Sequence, residues 1–364
     1  MHKPKVAILA AATGGGHLSL TRALEEMLSP RYTVETIVEP YLRLLHQYYT
    51  VVDRYWLASW GVTYRRSDQE QSARRVHRLL DVLLRKSLRT RIAQAQPRMI
   101  ITTHTLLSYA TARAIADFTP RIPFVFQLSE LGAVHATWLT LKRAAAYLVP
   151  TYEIYAQARA SNIEAGRLHL TGLPVRQQFL QDYSTCRTET LAELGFDPGV
   201  FTAFVQGGGE GAAGISRTVE GLLAANQPVQ MIFAAGTNKH LAARFSGIEQ
   251  LRVLPFTEKL APYIAAADVV IGKAGPNSIA EAVMLGKPFV ATTCIPGQET
   301  PNLEFLERHN LGWVGVETSR LQQILAQIVR DPSALAARAR SVQAYRAWNL
   351  QAIQQTGAVI DALI

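Results

Sequence analysis

Val6-Ala7-Ile8-Leu9-Ala10, two further alanines, and then Thr13-Gly14-Gly15-Gly16-His17 open the chain. A short apolar run bounded by a glycine turn reads as a buried strand at residues 6–10. The apolar residues that follow, Leu20, Ala23, Leu24, Met27 and Leu28, recur at helical spacing. Another strand-like run at 34–38 completes a βαβ unit, the mark of a parallel sheet. Working outward, a long, mostly helical stretch spans 41–94, and strands are expected at 99–103, 123–126 and 146–149. The pattern then restarts. A strand at 201–206 precedes Gly207-Gly208-Gly209-Glu210-Gly211, and a helix runs to about residue 225. Further strands are expected at 229–234, 252–255, 269–272, 288–291 and 312–316. The fold class is therefore α/β, with two doubly wound units in tandem. The boundary falls near Gly172-Leu173-Pro174, giving units 1–171 and 172–335, with closing helices at 336–364 that can cross back to the first.

Composition supports a folded chain of two domains: 364 residues, 48% hydrophobic and 18% charged. No run of residues is apolar and long enough to span a bilayer as a helix. Residues 1–5 carry neither the long apolar core nor the small-residue cleavage site of a signal peptide, so none is expected. With only Cys186 and Cys294, a disulfide scaffold is excluded and a reducing compartment is the default. Lys and Arg number 37 against 28 Asp and Glu, a net charge of +9, which favours an anionic partner. Much of that charge lies at 65–91 (Arg65, Arg66, Arg74, Arg75, Arg78, Arg85, Lys86, Arg89, Arg91), just after Tyr48, Tyr49, Tyr55, Trp56, Trp60 and Tyr64. Such a segment fits a protein lying on an anionic bilayer, and fits equally a helical subdomain with a solvated basic face and packed aromatics. No nucleic-acid recognition motif accompanies the charge.

Five segments carry candidate chemistry. Gly14-Gly15-Gly16-His17 sits between strand and helix, where glycines admit a ligand to the backbone and the helix start favours negative charge. It is neither a G-x-G-x-x-G fingerprint nor a P-loop, and His17 reads as a ligand-facing group or as a capping or packed histidine. Gly207–Gly211 occupies the matching place in the second unit, where its amides can cradle a diphosphate. Lys273-Ala274-Gly275-Pro276-Asn277-Ser278-Ile279-Ala280-Glu281-Ala282 reads as a turn opening a capped helix aimed at an anion. Glu281, one turn inside, is placed to accept bonds from paired hydroxyls such as those of a ribose, or to form a salt bridge. Pro296-Gly297-Gln298-Glu299-Thr300-Pro301-Asn302 gathers polar groups suited to a sugar, or forms an ordinary polar loop. Ser129-Glu130-Leu131 with His135-Ala136-Thr137-Trp138 supplies further acid–base or orienting groups, Glu130 and His135. No Asp-x-Asp motif or His/Cys cluster points to a metal.

Taken in order, these segments resemble the monogalactosyldiacylglycerol synthase and processive diacylglycerol glucosyltransferase family, and more distantly the peptidoglycan enzyme that adds N-acetylglucosamine to lipid I. Leu173-Pro174-Val175-Arg176 and Asn238-Lys239 fit the same pattern. The resemblance runs from the N-terminus to about residue 318. It is carried chiefly by the Lys-Ala-Gly-Pro…Ile-Ala-Glu-Ala run and the Gly-Gln-Glu…Asn loop. It implies the GT-B architecture, two Rossmann-like domains facing across a cleft, with a UDP-sugar on the C-terminal domain and a lipid acceptor on the N-terminal one. By resemblance, His17 matches the base, with Glu130 as the second candidate. Gly15, Gly16, His135 and Trp138 fall on the acceptor side. Gly208, Gly209, Asn277 and Ser278 match the diphosphate region, beside Lys273, Gly275, Pro276 and Asn238. Phe256 matches the segment near uracil, Glu281 the ribose-binding acid, and Gln298, Glu299 and Asn302 the donor-sugar region.

The implied reaction is inverting transfer of galactose or glucose from the UDP-sugar to diacylglycerol or another lipid alcohol. No cofactor or metal is expected, and neither is a nucleic-acid partner. The implied location is peripheral, on the cytoplasmic face of an anionic membrane. The alternatives are a soluble or peptidoglycan-type acceptor, a UDP-sugar epimerase, and a UDP-sugar-binding subunit without turnover. Ser129-Glu130-Leu131 stands where the family has Thr-Asp-Leu, and His135-Ala136-Thr137-Trp138 where it has His-Pro-Thr-Trp. Thr300-Pro301 replaces small residues.

Overall fold

A computed structural model describes residues 3–11, 15–40, 42, 57–208 and 214–364. The chain divides into two compact units. The first comprises Met1–Arg176, Pro296–Pro301 and Asn349–Ile364, and the second comprises Gln177–Ile295 and Asn302–Trp348.

In the first unit the chain runs β1 (Lys5–Ala11), α1 (Gly15–Leu28), β2 (Thr33–Glu39), α2 (Leu57–Ser67), α3 (Glu70–Ala95), β3 (Met99–Thr102), α4 (Thr105–Ala114), β4 (Phe124–Gln127), α5 (Ala136–Leu139), β5 (Ala146–Val149), α6 (Tyr152–Ala160) and β6 (Leu168–Leu170). Its strands form one parallel sheet in the order β2-β1-β3-β4-β5-β6. Alternation along β1 builds a layer on each face, as strand geometry requires. Ala7, Leu9 and Ala11 join one buried cluster with Leu84, Leu88 and Trp138. Val6 and Ile8 join another with Leu24, Leu28 and Ile360. The last residues of the chain thus complete this core. Asn349 donates to and accepts from the backbone of Leu173 (3.2 and 3.0 Å), and Asp361 bonds Arg31 and Tyr32.

The second unit runs α7 (Arg187–Glu193), β7 (Phe201–Gln206), α8 (Ile215–Ala224), β8 (Val229–Ala234), α9 (Lys239–Phe245), β9 (Leu251–Leu254), α10 (Ala261–Ala266), β10 (Val269–Lys273), α11 (Pro276–Met284), β11 (Phe289–Thr293), α12 (Thr300–Arg308), β12 (Gly312–Val314), α13 (Thr318–Arg330) and α14 (Pro332–Asp361). α12 begins in the first unit's 296–301 segment, and α14 passes into the first unit from Asn349 onward. Its strands form a second parallel sheet, β12-β11-β10-β7-β8-β9.

Strand order locates the ligand ends. The chain builds outward from β1 to β2, then returns to β3 on the other side of β1. In the second unit it builds from β7 to β8 and β9, then returns to β10. At such a reversal the two flanking loops diverge, leaving a crevice beyond the carboxyl ends of the strands. The β1/β3 crevice is edged by α1 and the residues after Thr102. The β7/β10 crevice is edged by Gly207-Gly208 and the residues after Lys273.

One expectation changes in detail. Instead of one helical stretch over 41–94, the described part is two helices that break at Asp68 and Gln69. The aromatics Trp60 and Tyr64 are half-buried and pack together, their ring centroids 6.4 Å apart, as in the reading of a helical subdomain with packed aromatics. The outward face of α3 is aliphatic and basic. Ala73, His77, Asp81, Leu84, Leu88, Ile92 and Ala95 point inward. Leu79, Val82 and Leu83, on the opposite face, are 63, 74 and 58% exposed. Tyr48, Tyr49, Tyr55 and Trp56 lie outside the described residues, as do Thr13, Gly14 and the 209–213 segment with Gly209.

Candidate active site

His17 stands in the first turn of α1, half-buried at the β1/β3 crevice, with Gly15 and Gly16 exposed beside it. Its Nδ1 lies 3.2 Å from the carbonyl oxygen of Thr103, the residue that follows β3. The His104 ring meets it edge-on at 4.6 Å, and the Trp138 ring lies 6.4 Å away. Trp138 itself is buried, stacked on Phe126 at 5.2 Å, so it is part of the core beneath the crevice. Burial pushes the His104 pKa well below the usual histidine value, and the neighbouring His17 acts in the same direction.

His135 is held differently. Its Nδ1 accepts the Thr137 amide (3.2 Å), capping α5, which leaves the ring proton on Nε2, 3.2 Å from the Ser67 hydroxyl. Tyr64 packs on the ring at 4.6 Å. Burial lowers the His135 pKa, opposed by the Asp68 carboxylate 3.9 Å away. Glu130 is buried, and its charge, with that of Asp68, adds to burial in raising the Tyr64 pKa. Glu130 and His135 therefore share one neighbourhood around Tyr64. The Ser129 hydroxyl is buried without a hydrogen-bond partner.

Gln298 and Glu299 belong to the first unit. A Cβ on Gly297 (φ +82°) would come within 2.9 Å of the Tyr64 ring. One on Gly61 would come within 2.8 Å of Pro296, and one on Gly132 would strike the Pro301 carbonyl. These glycines let the 296–301 segment lie directly against α2 and the loop after Glu130. Glu299 is buried and Gln298 half-buried there.

In the second unit the β7/β10 crevice is lined by backbone. Gly208 adopts φ +79°, and a Cβ there would meet nothing within 4 Å. Gly272 must lack a side chain, because a Cβ would collide with the Gln206 carbonyl on neighbouring β7. Lys273 ends β10, Gly275 caps α11 and Pro276 begins it, so the first-turn amides of Asn277 and Ser278 face the end of the sheet. Glu281 is buried in the second turn of α11. Asn302, fully buried, donates to the Ala274 carbonyl (3.1 Å) and fixes that turn. Asn238 caps α9 through the Leu241 amide (3.0 Å). Phe256, 61% exposed, follows β9. Asn238 thus follows β8 and Phe256 follows β9, on the side of β7 away from β10. The Gln206 side-chain amide nitrogen, at the end of β7, is buried without a partner. Among the described residues no group of three or more His, Cys, Asp or Glu is placed to hold a metal ion.

Thr103, His104, Tyr64 and Gln206 are the residues that the motifs did not reveal. The one available signal was position: Thr102-Thr103-His104 ends a buried strand, as His17 follows one.

Two parallel sheets with this winding define the GT-B class of glycosyltransferase folds. The calicheamicin glycosyltransferase CalG4 superposes with a TM-score of 0.65, 12% identity and full coverage of both chains. A UDP-N-acetylglucosamine 2-epimerase superposes with a TM-score of 0.54, 15% identity and coverage of 93% of this chain and 91% of its own. Residues 18–175 match the family model described as monogalactosyldiacylglycerol (MGDG) synthase, and residues 202–355 match that of the glycosyltransferase family 28 C-terminal domain. Monogalactosyldiacylglycerol synthase 1 of Arabidopsis thaliana is 28% identical over 88% of this chain, which spans 64% of that relative's length. The chain is thus a relative of the monogalactosyldiacylglycerol synthases, as its motifs indicated.

Proposed function

We propose that the protein is an inverting hexosyltransferase that moves galactose or glucose from a UDP-sugar to a lipid alcohol, diacylglycerol first among them. The observation that carries this reading is the furnishing of the two crevices: a histidine with an oriented ring at β1/β3, and amides with a helix N-terminus at β7/β10. His17 Nε2 takes the proton of the acceptor hydroxyl. The acceptor oxygen bonds to the anomeric carbon as the bond from that carbon to the diphosphate oxygen breaks, and UDP leaves with the electron pair. The α-linked sugar becomes a β-glycoside. The Gly207-Gly208 backbone, the start of α11 and Lys273 receive the charge of the leaving diphosphate, and no cofactor or metal takes part. Glu281 accepts from the ribose hydroxyls. Glu130 orients the acceptor or shares the role of base, Gln298 and Glu299 serve the sugar, and Asn302 serves it indirectly by holding the Ala274 turn.

The acceptor is reached from a membrane surface on which the protein is peripheral. No described helix is long and apolar enough to cross a membrane. The outward face of α3 supports the peripheral reading. Val76, Leu79, Val82 and Leu83 are exposed there among Arg75, Arg78 and Lys86, the makeup of a helix that lies in an anionic interface.

The test is incubation with UDP-galactose, UDP-glucose and UDP-N-acetylglucosamine in vesicles containing diacylglycerol and anionic lipid, read by mass spectrometry. A β-hexosyl lipid with release of UDP is expected. Conversion of the sugar while still attached to UDP, without a lipid product, would replace this reading with epimerisation.

A further inference from the structure

One hydrogen bond of His17 bears on where its ring carries a proton. A carbonyl oxygen only accepts, so the 3.2 Å contact from His17 Nδ1 to the Thr103 carbonyl requires the proton on Nδ1. The backbone of His17 is clamped by the same segment. The Thr21 hydroxyl donates to the His17 carbonyl (2.9 Å) and, its proton spent, accepts from the Thr103 hydroxyl (3.1 Å). Both threonines are buried. His104 closes the seat. Its Nδ1 accepts the Leu106 amide (3.2 Å) as the cap of α4, which immobilises the ring that meets His17 edge-on. Capping also occupies the lone pair of His104, so this histidine is not itself poised to take a proton. The Trp138 ring, which does not titrate, is the further aromatic neighbour.

We infer that Thr21, Thr103 and His104 are positioning residues that lock His17 into the tautomer with its proton on Nδ1, leaving Nε2 as the basic nitrogen. This deepens the proposed transfer reaction and rests on His17 being its base. The Thr103 carbonyl stands at Nδ1, the nitrogen that a carboxylate orients in many hydrolytic triads. A carbonyl fixes the tautomer as a carboxylate does, but adds no negative charge to favour the protonated ring.

Ring nitrogen NMR tests the seat directly. At a pH where His17 is neutral, the wild-type protein should show a pyrrole-type Nδ1 and an unprotonated, pyridine-type Nε2. Thr21→Val removes the clamp. His104→Asn removes the ring but keeps a side chain that caps helices well. Each should give averaged nitrogen shifts for His17 and lower kcat about 10- to 100-fold, the scale of a misplaced catalytic group, with the KM for UDP-sugar within about twofold. Thr21→Ser, which keeps the hydroxyl, should restore both. A wild-type His17 protonated on Nε2, or wild-type shifts in both Thr21→Val and His104→Asn, would overturn the inference. The shifts are read without turnover. Near-normal transfer by His17→Ala would therefore remove the base assignment while leaving the seat to be judged by NMR alone.

Discussion

The two crevices occupy the same place in the same winding and are furnished in opposite ways. Under the proposed reading, the chemistry at β1/β3 rests on side chains whose orientation is secured by backbone groups: His17 by the Thr103 carbonyl, His104 by the Leu106 amide. At β7/β10 it rests on backbone left open where Gly208 lacks a side chain and on the open end of α11, while Gly272 lets β10 lie against β7. A proton-transfer group needs a defined direction and a tuned basicity, which only a side chain supplies. A diphosphate needs several donors that cost no side-chain ordering, which a glycine turn and a helix start supply.

That contrast can be broken at several points. Under the proposed chemistry His17→Ala should lower kcat by about 10²- to 10⁴-fold, the usual contribution of a positioned base, while UDP-sugar affinity in isothermal titration stays near wild type. Equal losses in both quantities would erase the division of labour. Gly272→Ala should act on stability. Its new methyl meets the backbone of β7, which cannot step aside, so a cost of about 3 kcal/mol is expected in denaturant unfolding. Glu281→Gln should raise the KM for UDP-sugar about 10-fold or more with little change in kcat, the signature of lost binding that does not change between ground and transition state. Outside both crevices, Leu79→Glu with Val82→Glu should weaken sedimentation with anionic vesicles about 10-fold and leave UDP affinity untouched. Unchanged binding would move the membrane contact away from α3.

A further effect concerns pH. His77, His104 and His135 have pKa values lowered in the fold, chiefly by burial. The unfolded chain therefore binds more protons than the native one, and stability rises with pH through this range. As pH falls below about 6.5, each histidine kept neutral costs up to about 1.4 kcal/mol per pH unit. A thermal melt series from pH 7.5 to 5.5 should show falling midpoints.

Much of the fold was legible in the residues. β5, β7 and β8 lie where continuous apolar runs bounded by turns put them, because strands buried on both faces need no polar alternation. β6 escaped notice. Leu168-His169-Leu170 is three residues long and carries a histidine, as an edge strand can. Strand order was not legible at all, since apolar runs do not name their neighbours, and so the reversals at β1/β3 and β7/β10 came only from the pairing. The structure places His17 at the β1/β3 reversal and the Lys273–Ala282 stretch at the β7/β10 one, and both stood out in the sequence because their residues are contiguous. His104 could not. It acts through a ring meeting another 87 positions away in the chain, and its capping of α4 hides it among ordinary helix starts.

The discontinuity of the first unit bears on how the protein is made. Ile360, Val359 and Leu363 fill the layer beneath β1, and Asn349 fastens Leu173. A nascent chain emerging from the ribosome has its first sheet ready long before those residues exist. That sheet must wait, one apolar face covered only in part by α1, until the rest of the polypeptide has been translated. During synthesis, the half made first is therefore the half exposed longest to aggregation and the one with most need of a chaperone.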